Sequence, residues 1–394
     1  TFMTRDANSK FILTGSKVLS TATTNGTDEG NYNAGELVLN NSTLTYNAAF
    51  TNTGVLNIGE NSNVNAPTVI NNGTINFTSL TSILETTTEG LVITLDSNYP
   101  DHKVVYKDGK YQVVEKDYVA QIGEDNKFET LQDAFNAATE GQTVTVINDV
   151  ELESNVTVAA GKVVTLDLNG KNLTGGAYVN LYINGELTIE DNVGNAVSTF
   201  RNHYVSEGGK LTLKSGILQN IETNTGGYGI FIERGGESTI EGGTVQAVNE
   251  SNYAICVNGT LTIVDGNIVG KHGVIAVENQ NAIVTIENGE YTLNAITGNS
   301  DHIVYVTAGM INIEGGNFTF NNFIANEGDS MIAAAEENVS ITGGTYTQDV
   351  NEWCAEGYKA VQIGENVYEV RIASFEKFYT AEGDETTQDQ AAYS

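Results

Sequence analysis

Thr262-Ile263-Val264-Asp265-Gly266 is answered by Thr285-Ile286-Glu287-Asn288-Gly289, 23 residues further on. The same phrase, a small polar residue, an aliphatic anchor, two more residues and a glycine, stands upstream as Thr212-Leu213-Lys214-Ser215-Gly216 and Thr239-Ile240-Glu241-Gly242-Gly243. Downstream it returns as Asn312-Ile313-Glu314-Gly315-Gly316 and Ser340-Ile341-Thr342-Gly343-Gly344. Thr188-Ile189-Glu190 opens the series with Asn192 in place of the glycine, so a looser turn is expected there. The anchors Ile189, Leu213, Ile240, Ile263, Ile286, Ile313 and Ile341 lie 24, 27, 23, 23, 27 and 28 residues apart. Self-similarity at such a period marks a solenoid in which each repeat is one coil.

Around the anchors apolar and polar residues alternate, as in Leu261-Thr262-Ile263 and Ile311-Asn312-Ile313. That period of two belongs to strands with one buried face. The glycine three residues past six of the anchors marks a bend that a Cβ would obstruct. The expected fold is therefore all-β, a right-handed parallel β-helix.

Residues 1–116 repeat on a shorter period. Gly35-Glu36-Leu37-Val38-Leu39, Gly54-Val55-Leu56-Asn57-Ile58 and Gly73-Thr74-Ile75-Asn76-Phe77 are spaced by 19, and Gly90-Leu91-Val92-Ile93 follows after 17. Val104–Val114 and Tyr358–Val370 both read as β-hairpins with a glycine turn, which places the closing elements of two tandem modules near 116 and 371. One helix is expected near 130–138: Phe128, Leu131, Ala134, Phe135 and Ala138 share a face, Thr130-x-x-Asp133 resembles a capping box, and Gly141 is suited to end it. Covering the first coil's open core is the expected task of this helix. The modules are then 1–116 and 117–371, with 372–394 a linker or the start of a further module.

Lys plus Arg is 18 and Asp plus Glu is 50, a formal charge of −32 that repels nucleic-acid phosphate and anionic membrane surfaces. No apolar run approaches the ~18 residues of a membrane span, and no signal peptide is visible. The opening Thr1 reads as a processed or trimmed segment of a larger protein. Cys256 and Cys354, with no C-x-x-C pair, indicate neither a disulfide framework nor a zinc site.

Phe128–Phe135, Gly141–Val150 and Thr165-Leu166-Asp167-Leu168-Asn169-Gly170-Lys171 together resemble the opening of β-helix modules in large surface proteins of gut-type bacteria, over roughly 115–371. Such modules resemble the pectate-lyase-like superfamily in fold. The resemblance implies an extracellular or cell-surface setting and an adhesive or glycan-facing role, in a fold that also hosts lyases, hydrolases and phage tailspikes.

The residues do not assign a reaction. A lyase of this type needs Arg or Lys as base, and of the four arginines (Arg5, Arg201, Arg234, Arg371) Arg234 reads as a solvated turn residue. Gly270-Lys271-His272-Gly273 echoes a hydrolase segment but lacks the adjacent aspartate pair. His102, His203, His272 and His302 have no metal-ligand spacing, and paired carboxylates are uninformative in so acidic a chain. No catalytic or metal residue is assigned, and no cofactor beyond calcium as an option.

Two outward rows carry the remaining expectations. Tyr182, Tyr204, Phe231, Cys256, Ala276, Tyr305 and Ala334 align on the strand before each anchor, with Ala254, Val274 and Ile303 also read as outward. So apolar a face calls either for cover by the chain's own segments or for a contact surface, and aromatic rows suit sugar rings. Tyr182, Tyr204, Phe231 and Tyr305 are the candidate binding residues. The second row, Glu190, Lys214, Glu241, Val264, Glu287, Glu314 and Thr342, is expected to be solvated, with Glu287 and Glu314 about 4.8 Å apart on neighbouring coils as the place for a bridging divalent cation. The expected role is a structural or adhesive module facing glycans or surface proteins, or self-associating. A polysaccharide-cleaving enzyme and a tailspike or extracellular filament subunit are the alternatives.

Overall fold

The computed structural model describes residues 3–23, 31–221, 227–248, 250, 252–295, 300–324, 328–373, 377–379 and 385–387. The described residues form an all-β solenoid of stacked parallel coils with one α-helix. The chain divides into two compact units, Thr1–Asp117 and Tyr118–Ser394.

In the first unit the apolar alternation becomes register: Leu37, Leu56 and Ile75 pair in sequence, as do Leu39, Ile58 and Phe77, and all six are buried. Asparagine does the same on the next side of the coil. Asn33 Nδ2 donates to Asn52 Oδ1 and Asn52 Nδ2 to Asn71 Oδ1, both at 2.7 Å, while Thr4 Oγ1 donates to Asn33 Oδ1. The amides satisfy one another, which lets polar side chains stand inside the coil. Hairpin strands His102–Lys107 and Lys110–Glu115 add antiparallel to Ile83–Glu85, turning at Asp108 and Gly109, both with positive φ. The fourth repeat is out of step with its sequence spacing. Asn76 pairs with Thr94 rather than Ile93, a slip of one residue that leaves Val92 83% exposed. Strands Met3–Thr4, Lys10–Thr14 and Lys17–Ser20 form the opposite edge of the unit's sheets.

In the second unit the seven anchors form one unbroken ladder, each paired with the next and each buried. Val144 and Leu166 extend it two coils upstream. The six glycines Gly216, Gly243, Gly266, Gly289, Gly316 and Gly344 all have positive φ, so the bend demands a conformation L side chains rarely adopt. At the Ile189 coil a longer loop replaces that bend. Its positive-φ residues are Gly194 and Asn195, and the carboxylate of Asp191 accepts from the N–H groups of Gly170 and Ala196, both at 2.8 Å.

The helix spans Leu131–Ala137, with Thr130 Oγ1 accepting from the Asp133 N–H. It stops before Gly141: Lys162 Nζ reaches the carbonyls of Asn136 and Ala138 from the next coil, and Gly141 instead takes positive φ in the turn into strand Gln142–Val146. A cation on the last carbonyls does what a C-terminal glycine was expected to do. At the far end, strand Val367–Ile372 adds antiparallel to Thr345–Tyr346 and turns back on Tyr358–Gly364, the positive φ falling on Asn366 and not on Gly364. Beneath it Tyr291, Phe318 and Tyr346 stack at 4.4 and 4.8 Å between centroids, within 8° of parallel. Strands Lys377–Tyr379 and Glu385–Thr387 pair antiparallel, and the linker expected over 372–394 otherwise lies largely outside the described residues.

One corner of the coil breaks the alternation. Asn202 pairs with Tyr228 and His203 with Ile230, which leaves Gly229 as an extra residue whose Cβ would fall 2.8 Å from Val245 Cγ1 in the core. Ala254, Val274 and Ile303 occupy that inward corner on the following coils and are wholly buried core residues. The outward assignment of these three is therefore corrected: a bulge turns two successive side chains to the same face.

Candidate functional site

The ladder read from sequence is real in register: Tyr182, Tyr204, Phe231, Cys256, Ala276 and Tyr305 pair in succession. Its last member is Ala333, not Ala334: Tyr305 pairs with Ala333. Tyr182, Tyr204, Phe231 and Tyr305 are half-buried, whereas Cys256 and Ala276 are fully covered. The row is thus two aromatic platforms with a filled middle.

The first platform is continuous. Ring centroids lie 5.2 Å apart for Tyr182 and Tyr204, 4.9 Å for Tyr204 and Phe231, and 5.7 Å for Phe231 and Tyr228. For the first two pairs, spacing near 5 Å follows from the distance between parallel strands, which brings successive rings into offset contact; Tyr228 shares a strand with Phe231. Polar groups flank it: Asn180 Nδ2 donates to the Tyr182 hydroxyl at 3.3 Å, and the Tyr204 hydroxyl bonds Glu233. Burial, reinforced by Glu233, raises the Tyr204 pKa above the usual phenol range.

The second platform is built around a glycine. A Cβ at Gly273 would sit 2.0 Å from the Tyr253 ring, so the bare backbone lets Tyr253 lie across that coil and stack on Tyr305 at 5.8 Å. His302 also stacks on Tyr305, at 5.6 Å, and His272 meets Tyr253 edge-on at 5.5 Å. His272 Nδ1 lies 2.7 Å from the buried Asp301 Oδ1, and His302 Nδ1 lies 2.9 Å from Ser330 Oγ. Burial lowers the His302 pKa. In the middle, Tyr228 bonds the Cys256 thiol, which in turn donates to Glu278 at 3.5 Å. Burial and Glu278 push that thiol well above its usual range, so it is held protonated.

Sequence spacing concealed this second cluster. His272, Asp301 and His302 are about one coil apart, and neither the ring of Tyr253 nor the absent side chain of Gly273 leaves a periodic signal. Gly270-Lys271-His272-Gly273 thus serves as a seat for an aromatic ring. His203 is separate and inert. It is buried in the corner with Nδ1 2.7 Å from the Gly229 carbonyl and Nε2 2.9 Å from Ser198 Oγ, and burial lowers its pKa to about 4.

Arg234 is exposed, and the second outward row is exposed at Lys214, Glu241, Val264, Glu287 and Glu314. Among the described residues no group of three or more His, Cys, Asp or Glu gathers as a metal site, and no helix is long and apolar enough to cross a membrane. No protein family, curated protein or solved structure matches the chain.

Proposed function

We propose that this chain is an extracellular structural and adhesive module that grips glycans along its aromatic ladder, without acting on them. The observation that carries the reading is the run of half-exposed rings Tyr182, Tyr204 and Phe231 on three neighbouring coils, 5.2 and 4.9 Å apart, with Tyr228 adding a fourth ring 5.7 Å from Phe231 on the same strand. Sugar rings stack their C–H faces on such surfaces, and Glu233 and Asn180 at its margin are placed to meet hydroxyl groups. A chain of charge −32 repels polyanions, so neutral glycans are favoured over uronate polymers.

The double variant Phe231→Ser/Tyr305→Ser tests it. Glycan-array signal is expected to fall while far-ultraviolet circular dichroism and melting stay unchanged. A sharply lower melting temperature would assign these rings to packing and end the binding role. Incubation with pectins, alginates and host glycans is expected to release no unsaturated or reducing-end products.

A further inference from the structure

At the N-terminal end of the second unit three strand edges would lie bare, and two are covered by different means. Strand Ala120–Ile122 pairs antiparallel with Gln142–Val146. Strand Val156–Val158 is covered by one side chain: Gln132 Oε1 accepts from the Thr157 N–H at 2.8 Å, and its Nε2 donates to the Thr157 carbonyl at 3.0 Å. The carboxamide stands in for one residue of an added strand.

The third edge, Val150–Leu152, has no such cover among the described residues. This strand ends the 11-stranded sheet. The Val150 N–H donates to Asn172 O, and Leu152 O accepts from the Gly176 N–H, so both face the next coil. By alternation the N–H and C=O of Glu151 face the opposite way. A cleft beside the helix start runs along that edge, with Val119 and Leu131 among its lining residues and carboxylates at Glu129, Asp149, Glu151 and Glu153. No Lys or Arg lines it.

We propose that this edge is a docking site for a basic, extended segment of a partner protein, added as a further β-strand. The backbone edge supplies the pairing and the four carboxylates select cationic side chains over acidic ones. The function proposed above is not required for this.

The probe is the capped peptide Lys-Val-Lys-Val-Lys, titrated into the full chain with backbone amide shifts and hydrogen exchange as readouts. Shifts centred on Asp149–Glu153 are expected, with exchange of the Glu151 amide slowed about tenfold. The same peptide N-methylated at every residue keeps its charge but not its donors, and should bind about tenfold more weakly. Equal binding by the N-methylated peptide or by Glu-Val-Glu-Val-Glu, or no binding by any of them, overturns the proposal. Glu151→Pro removes the free N–H at an edge where proline is tolerated, and should abolish peptide binding with melting unchanged. Should that variant misfold, Glu129→Gln/Glu153→Gln keeps the edge and is expected to weaken binding several-fold; undiminished affinity there also refutes the proposal.

Discussion

Asp191 shows how one side chain organises a departure from the repeat. Burial alone would raise its pKa, but N–H donors from Ala196, Gly170, Gly194 and Val193 together hold it below the usual carboxylate range. A depressed folded pKa contributes stability that is present above the unfolded value of about 3.9 and is lost as pH falls through the folded one. His203 acts at higher pH by the opposite route. Its folded pKa of about 4 against 6.5 unfolded favours protonation of the unfolded chain as pH drops below 6.5. Roughly 3 kcal/mol is lost between pH 6.5 and 4. His203→Gln should flatten the stability profile across that window, measured by denaturant titration, and Asp191→Asn should flatten it below about pH 4. At Gly273 φ is ordinary and the constraint is space alone. Gly273→Ala is expected to cost about 1–3 kcal/mol and to reduce the near-ultraviolet dichroism of the Tyr253–Tyr305 stack. Adding Tyr253→Ala should recover part of the lost stability, though not the dichroism, because the two substitutions share one clash.

At the scale of elements, the anchors and their positive-φ glycines were legible in the sequence because each inward strand position repeats once per coil. The hairpins and the helix face were legible for the same local reasons. Four features were not. The corner bulge at Gly229 turns Ala254, Val274 and Ile303 inward, which strict alternation cannot express. The slip that pairs Asn76 with Thr94 depends on how the closing hairpin meets the last coil, a tertiary matter. The candidate site was legible where it follows the register, at Tyr182, Tyr204, Phe231 and Tyr305. It was illegible where long side chains lean across coils, as Tyr253 does. The helix end belongs with these, since Lys162 arrives from 24 residues downstream of Ala138. Lys162→Met should cost about 1 kcal/mol by losing these charge-assisted bonds, read as a lower melting temperature and faster amide exchange in Phe135–Ala138.

For the molecule as a whole, each coil touches mainly its neighbours, so stability is close to a sum of nearest-neighbour terms within each unit. Ile263 is wholly buried in mid-stack, and Ile263→Asp is expected to unfold several coils of the second unit. Ile58→Asp should disrupt the first unit and leave the second folded, as two separate transitions in calorimetry and in exchange. A single transition lost in both variants would contradict the division at Asp117. The asparagine ladder of the first unit bears on how such a chain can change its length. Asn33, Asn52 and Asn71 bond across a constant interval of 19 residues. One residue gained or lost within the strand that carries an amide turns that side chain to the other face and breaks the row there. A whole duplicated coil, in contrast, simply lengthens the row. The row itself therefore lengthens by whole coils, while a coil can differ in length so long as its strand returns in register, as across the 29 residues from Thr4 to Asn33.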